Sequence, residues 1–130
     1  NHKVKHREWY RPFAPVCRLE DASKYFEWEG ESKHMLYCPR VREEWQDKLS
    51  SITHIDGTAR LQTVTRDQNQ WLYDLLTDFE KQAGHGVLLN TSFNIAGKPI
   101  LNTIADAMWV LKNSEMDYLV IEDFYYGKHW

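Results

Sequence analysis

A chain of 130 residues is long enough to bury one hydrophobic core without help from disulfides or a structural metal. Sixteen Lys and Arg against nineteen Asp and Glu give a formal charge of −3 and a pI near 6.1, which argues against a general nucleic-acid binder with its basic footprint. No apolar run is long enough to span a membrane and no signal-peptide core is visible, so no membrane partner and a cytoplasmic location are expected.

The chain opens with the cations Lys5, Arg7 and Arg11, followed by Pro12 and Pro15. Fixed φ at the two prolines suits a preset binding geometry, and an ammonium beside guanidinium forks suits phosphate; alone, the segment reads equally as a solvated basic arm. Residues 14–19 alternate as a strand, residues 23–26 start a turn of helix, and residues 27–32 form a polar loop. A second strand is expected over 34–38, stopped by Pro39, and a short helix or ordered loop over 42–49. Residues 51–55 and 58–65 read as a hairpin about the Asp56-Gly57 turn. Asp67 is the expected cap of a helix reaching about Ala83, with Trp71, Leu72, Leu75, Leu76 and Phe79 on one face and Gly84 as its stop.

Residues 86–89 are wholly apolar beyond Gly86, as in the centre of a sheet covered on both sides, and open into a polar loop from Asn90 towards Gly97. Thr103 and Asp106 form a capping box for a helix burying Ile104, Ala107, Met108 and Leu111. Residues 118–121 are the last expected strand, and 124–130 an aromatic tail. Cys17 and Cys38 both fall in expected strands, which predicts buried, reduced thiols. With no repeat, linker or low-complexity tract, the pattern predicts one α/β (α+β) domain over residues 1–130.

Three stretches could carry chemistry. The loop Asn90, Thr91, Ser92, Phe93, Asn94 follows a buried strand directly, where open α/β sheets bind ligands, and its amides and hydroxyls suit a nucleotide; a self-satisfied polar turn is the competing reading. His54, Asp56 and Arg60 lie close together and allow a metal pair, a base dyad or an anion clamp led by Arg60. The metal reading is weak, because His2, His6, His34, His85 and His129 show no ligand spacing, so no metal ligands are expected. A Ser92–His54–Asp56 triad lacks a nucleophile elbow. Neither Gly-rich phosphate signature occurs, so side chains would have to hold any phosphates, which returns attention to Lys5, Arg7, Arg11 and Arg60.

Residues 4–8 with Arg11-Pro12-Phe13-Ala14-Pro15, then residues 53–64, then Leu88-Leu89-Asn90-Thr91-Ser92-Phe93-Asn94, resemble the C-terminal domain of the nodulation- and antibiotic-type O-carbamoyltransferases. Lys5/Arg7 and Ser92/Asn94 match the paired KxR and SxN signature of YrdC-like domains. The resemblance implies a twisted mixed β-sheet flanked by helices. It also implies use of ATP with Mg2+ and carbamoyl phosphate as small-molecule substrates, formation of carbamoyl-adenylate, and release of pyrophosphate. An N-terminal ASKHA-type domain would then move the carbamoyl group to an acceptor hydroxyl, and the chain would be a fragment lacking that partner and some upstream strands.

On this resemblance Lys5 and Arg11 hold phosphate or carbamoyl oxygens, Arg7 lines the same pocket, and Arg60 neutralises charge developing at the α-phosphorus. Asn90, Ser92 and Asn94 bind the adenylate. Lys5 and Arg60 are the expected catalytic residues, acting by positioning and charge stabilisation. His54 and Asp56 are read as shaping the turn before Arg60. The alternative is a non-catalytic nucleotide- or RNA-binding module of the same fold, with nucleic acid disfavoured by the charge.

Overall fold

Ala14–Arg18 forms strand β1, the middle of a three-stranded sheet, because its run of small and branched residues packs on both faces. A computed structural model describes residues 12–95 and 99–128. They fall in two compact units, one spanning Pro12–Thr91 and the other built on residues from 92 onward. Strands and helices mix throughout, as the sequence predicts.

In the first unit a 3-10 turn (Leu19–Asp21) leads from β1 into helix α1 (Ala22–Tyr25), then come helix α2 (Glu43–Gln46), strand β2 (Gln62–Val64), helix α3 (Gln70–Ala83) and strand β3 (Val87–Asn90). The sheet order is β2-β1-β3, with β2 parallel and β3 antiparallel to β1. Val16 pairs with both Gln62 and Leu88, whereas Pro15 pairs with Leu89 alone. Pro15 therefore sits one residue ahead of the point where β2 joins, on the part of β1 that has a strand partner on one side only.

Alternation along β1 divides the core. Cys17 joins Tyr25, Phe26, Val41, Ile52, Leu61 and Val87 on one face. Val16, with Val64, meets Leu76 of α3 on the other, supported by Leu72 and Leu88. Only Leu76 of the expected α3 stripe is buried; Trp71 and Leu75 are 58% and 40% exposed, because one three-stranded sheet is too narrow to cover the whole stripe. β3 lies at the edge of the sheet among the described residues, not at its centre, and Leu89 is half exposed.

The two expected strands over 34–38 and 51–55 do not form. Met35 adopts φ 53°, which breaks extension, and Leu36 is 75% exposed. Residues 51–53 instead continue the turns after α2, with Ile52 N–H and the Thr53 hydroxyl both donating to Leu49 O (3.0 and 2.8 Å). The expected hairpin shrinks to its turn. Residues 57–61 take a different partner, residues 37–41 running antiparallel: Val41 N donates to Gly57 O, Ala59 N to Pro39 O, and Leu61 N to Tyr37 O at 2.8, 2.9 and 3.2 Å. Cys38 is consequently exposed, and only Cys17 is the expected buried thiol, with burial pushing its pKa up.

Helix α3 is capped by Asn69, not Asp67. The Asn69 side chain accepts from Leu72 N at 3.0 Å, while a turn closed by Gln68 N and Asn69 N on Thr65 O sets Asp67 outside the helix. Asn69→Ala should lower stability by about 1 kcal/mol and Asp67→Ala by less than about 0.5, as read from urea midpoints. Gly84 closes α3 as expected, with φ 77° and its N–H on Glu80 O.

In the second unit Thr103 caps helix α4 (Ile104–Asn113), accepting from Asp106 N at 3.1 Å while its hydroxyl donates to the Asp106 carboxylate at 2.6 Å. Ala107, Leu111 and Leu119 form the core with Phe93, Met108, Met116, Ile121 and Tyr126 around them. Ile104, expected inside, is 62% exposed, and Val110 takes a buried place instead. Strand β4 (Tyr118–Ile121) pairs with β5 (Phe124–Gly127), so the aromatic tail is largely a strand. The two-residue turn between them puts Glu122 at φ 51°, a conformation glutamate seldom signals in a sequence.

Candidate functional site

β1 and β2 begin, and β3 ends, at one end of the three-stranded sheet. Asn90 closes β3 opposite Ala14, the first residue of β1. Arg60 lies two residues before Gln62, which opens β2. Arg60 and Asn90 thus flank the same sheet end, where Pro12 and Phe13 enter β1. Lys5, Arg7 and Arg11 precede that entry in sequence and lie outside the described residues.

Arg60 is exposed between Ala59 and Leu61, both fully buried. The backbone on either side is anchored by the bonds to Pro39 O and Tyr37 O, so the guanidinium projects from a fixed base. Among the described residues it has no ion-pair or hydrogen-bond partner, unlike Arg18 and Arg66, which are both paired with acids. An unpaired arginine fork on a rigid base is suited to bidentate capture of phosphate or carboxylate oxygens.

The turn before it is built for shape. Asp56 accepts from Thr58 N at 3.0 Å and from the Thr58 hydroxyl at 2.7 Å, and His54 Nδ1 lies 3.1 Å from that hydroxyl. These bonds from Thr58 hold the Asp56 carboxyl below the usual range, with smaller contributions from His54 and Arg40. Gly57 occupies φ 79°, and a Cβ there would stand 3.4 Å from Arg40 Nη1. The carboxylate is committed to the turn, as expected for a residue that shapes the approach to Arg60.

Asn90 is half-buried, and its Nδ2 donates to Gln62 Oε1; Gln62 Nε2 in turn donates to Lys33 O at 3.2 Å. Gln62 is the residue the sequence reading missed: it adjoins the Arg60 block, but its tie to Asn90 crosses β1 and is invisible locally. In the second unit the Ser92 hydroxyl donates to Asn94 Oδ1 at 2.7 Å and Asn94 N donates to Ser92 O at 3.1 Å, so this pair forms one compact turn.

A cleft of about 440 Å³ in the second unit is lined mainly by apolar groups, among them Ile95, Pro99, Ile100, Trp109 and Val110. Among the described residues its one acid is Asp106, which is held by Thr103, and none of the lining residues is a cation. Among the described residues no group of His, Cys, Asp and Glu could hold a metal ion. None of the helices there is long and apolar enough to cross a membrane.

Residues 1–128 match the family described as carbamoyltransferase C-terminus. The chain belongs to this family. It is similar to the 3'-hydroxymethylcephem-O-carbamoyltransferase of Streptomyces clavuligerus, 46% identical over 96% of this chain and 24% of the relative. The nodulation protein NolO of Bradyrhizobium diazoefficiens is 43% identical over 95% of this chain and 23% of its own length. The 3'-hydroxymethylcephem-O-carbamoyltransferase of Amycolatopsis lactamdurans is 42% identical over 97% and 24%. The chain therefore spans about a quarter of the length of the curated relatives it matches.

Proposed function

We propose that this carbamoyltransferase C-terminal chain binds ATP and carbamoyl phosphate and forms carbamoyl-adenylate, which a partner N-terminal domain uses to carbamoylate an acceptor hydroxyl. Water releases phosphate from carbamoyl phosphate, the carbamate oxygen attacks the α-phosphorus, and the bond to pyrophosphate breaks. Arg60 supplies positive charge to the oxygens of that phosphorus, with Lys5, Arg7 and Arg11 assigned to the same anion by resemblance. Asn90, Ser92 and Asn94 are assigned to the adenylate. Magnesium is assigned to the triphosphate oxygens, since the described residues offer no acidic cage.

The observation that carries this reading is Arg60: an exposed guanidinium without a partner among the described residues, on anchored backbone, at the sheet end it shares with Asn90. The test incubates the complete protein with ATP and follows pyrophosphate with and without carbamoyl phosphate. Release that depends on carbamoyl phosphate is expected. ATP binding without any release would instead support the non-catalytic nucleotide-binding module.

A further inference from the structure

The segment before Arg60 folds back on itself around Asp56 and Gly57. His54 N donates to Thr58 O at 2.7 Å and Gly57 N to His54 O at 2.9 Å, so His54 and Thr58 face each other across the turn. Beyond Thr58 the burial alternates: Ala59 and Leu61 are fully buried, whereas Arg60 is exposed. Residues two apart in an extended stretch share a face, so Thr58 and Arg60 project on one side. The His54 ring joins them there, with Nδ1 3.1 Å from the Thr58 hydroxyl.

Only one arrangement of protons satisfies this group. A threonine hydroxyl has a single proton to give. Thr58 Oγ1 lies 2.7 Å from Asp56 Oδ1, and the bond from that hydroxyl is the chief cause holding the Asp56 carboxyl below its usual range. Asp56 is therefore ionised at neutral pH and can only accept. The Thr58 proton goes to Asp56, because sending it to His54 would set two bare oxygens against each other. The contact between His54 Nδ1 and Thr58 Oγ1 is then an N–H donated by the ring. Neutral His54 carries its proton on Nδ1, and Nε2 keeps a lone pair. Nε2 is not buried and has no hydrogen-bond partner among the described residues. An imidazole with Nδ1–H fixed by an acceptor and Nε2 open is prepared to take a proton.

The reaction assigned to this chain sheds protons at one step, the attack of water on carbamoyl phosphate. We propose that His54 is the general base of that step, its Nε2 taking a proton from the water, with Thr58 and Asp56 as positioning residues that fix its tautomer. The water oxygen bonds to the carbonyl carbon, the carbon–oxygen bond to phosphate breaks, and phosphate leaves with the bonding pair. The proton on Nε2 passes to the departing phosphate. The second water proton leaves carbamic acid for solvent, giving carbamate. Carbamate is already an anion when it attacks the α-phosphorus, so the next step needs no base. The proposal rests on the adenylate-forming reading and names the proton acceptor that reading lacks.

The experiment uses the complete protein and follows pyrophosphate release from ATP supported either by carbamoyl phosphate or by freshly dissolved ammonium carbamate. Carbamate enters after the step assigned to His54, and the unaltered protein should use both. His54→Asn keeps an N–H donor for Thr58 but removes Nε2. Its release with carbamoyl phosphate should fall by about a hundredfold or more, while release with carbamate stays within about threefold of the unaltered protein. Activity with carbamate shows in the same sample that the protein is folded and its ATP site intact. Equal loss on both routes in folded protein, or full activity on both, would overturn the proposal.

Thr58 gives a second reading that does not depend on whether His54→Asn folds. Thr58→Val removes the hydroxyl that fixes the ring, whereas Thr58→Ser keeps it. The valine variant should lose about tenfold or more with carbamoyl phosphate alone, and the serine variant should match the unaltered protein. Equal activity of the two with carbamoyl phosphate would overturn the proposal. So would an unaltered protein that uses carbamoyl phosphate but not carbamate. No pyrophosphate release with either would remove the adenylate-forming reading itself, a result separate from the behaviour of the variants.

Discussion

Replacing Arg60 by Ala is expected to cut carbamoyl-phosphate-dependent pyrophosphate release by about 10²–10³-fold in the complete protein, the loss seen when one preorganised donor to a developing charge is removed. The structure separates this effect from folding. Arg60 is exposed and makes no ion pair or hydrogen bond among the described residues, while Ala59 and Leu61 on either side carry the burial. Removing its side chain should therefore change stability by no more than about 0.5 kcal/mol, the range of surface substitutions away from such features. Arg60→Lys should fall between the two, because the charge remains while the planar fork is lost. Pyrophosphate release by Arg60→Ala within a few-fold of the parent would take Arg60 out of the mechanism. So would a loss of activity that tracks a loss of folded protein.

Three features set by near neighbours were legible in the sequence, whereas the α3 cap, expected at Asp67 and formed by Asn69, and the features that depend on pairing were not. Gly84 at the end of α3, the Thr103–Asp106 box and the Asp56-Gly57 turn each rest on residues within four positions of one another, and all three form. The partner of residues 57–61 could not be read in that way. Alternation made them half of a hairpin, yet Pro39 O and Tyr37 O, about twenty residues upstream, take their amides. Apolar character also misplaced β3: Val87, Leu88 and Leu89 suit a covered strand, but sheet order follows from β1 having partners on both sides, a property of topology. At the site the same division holds. Arg60 and Asn90 stood out by type and by resemblance, whereas Gln62 acquires its role only through bonds across β1 to Asn90 and out to Lys33.

Arg18→Met should be the most damaging polar substitution in the first unit, lowering stability by about 2–4 kcal/mol, because it strips the counter-charge from two largely buried carboxylates. Arg18 closes β1 and donates to Asp21 at 2.5 Å, to Thr77 at 2.9 Å and to Glu80, tying β1 and the turn after it to α3. The side chains of Arg18, Asp21 and Glu80 are 12%, 15% and 23% exposed, so water screens them poorly. Lys24, at 2.6 Å from Glu80 but 44% exposed, supplies part of the lost charge, which keeps the cost below that of a fully orphaned ion.

The pH dependence has a definite sign. Glu80 is held below its usual 4.5 chiefly by its hydrogen bond to Lys24, with burial opposing and the charges of Lys24 and Arg18 assisting. A depressed carboxyl binds its proton more readily unfolded than folded, so its stabilisation is complete above about pH 4.5 and disappears as the pH falls through the folded value. Glu80→Gln should thus destabilise at neutral pH, and its difference from the parent should shrink in acid. The double variant Arg18→Met with Glu80→Gln should cost less than the sum of the two by about 1 kcal/mol or more, because the second change relieves the charge stranded by the first. Strict additivity in urea unfolding at pH 7, with no narrowing of the Glu80→Gln difference in acid, would mean that the cluster holds β1 to α3 by packing and not by charge.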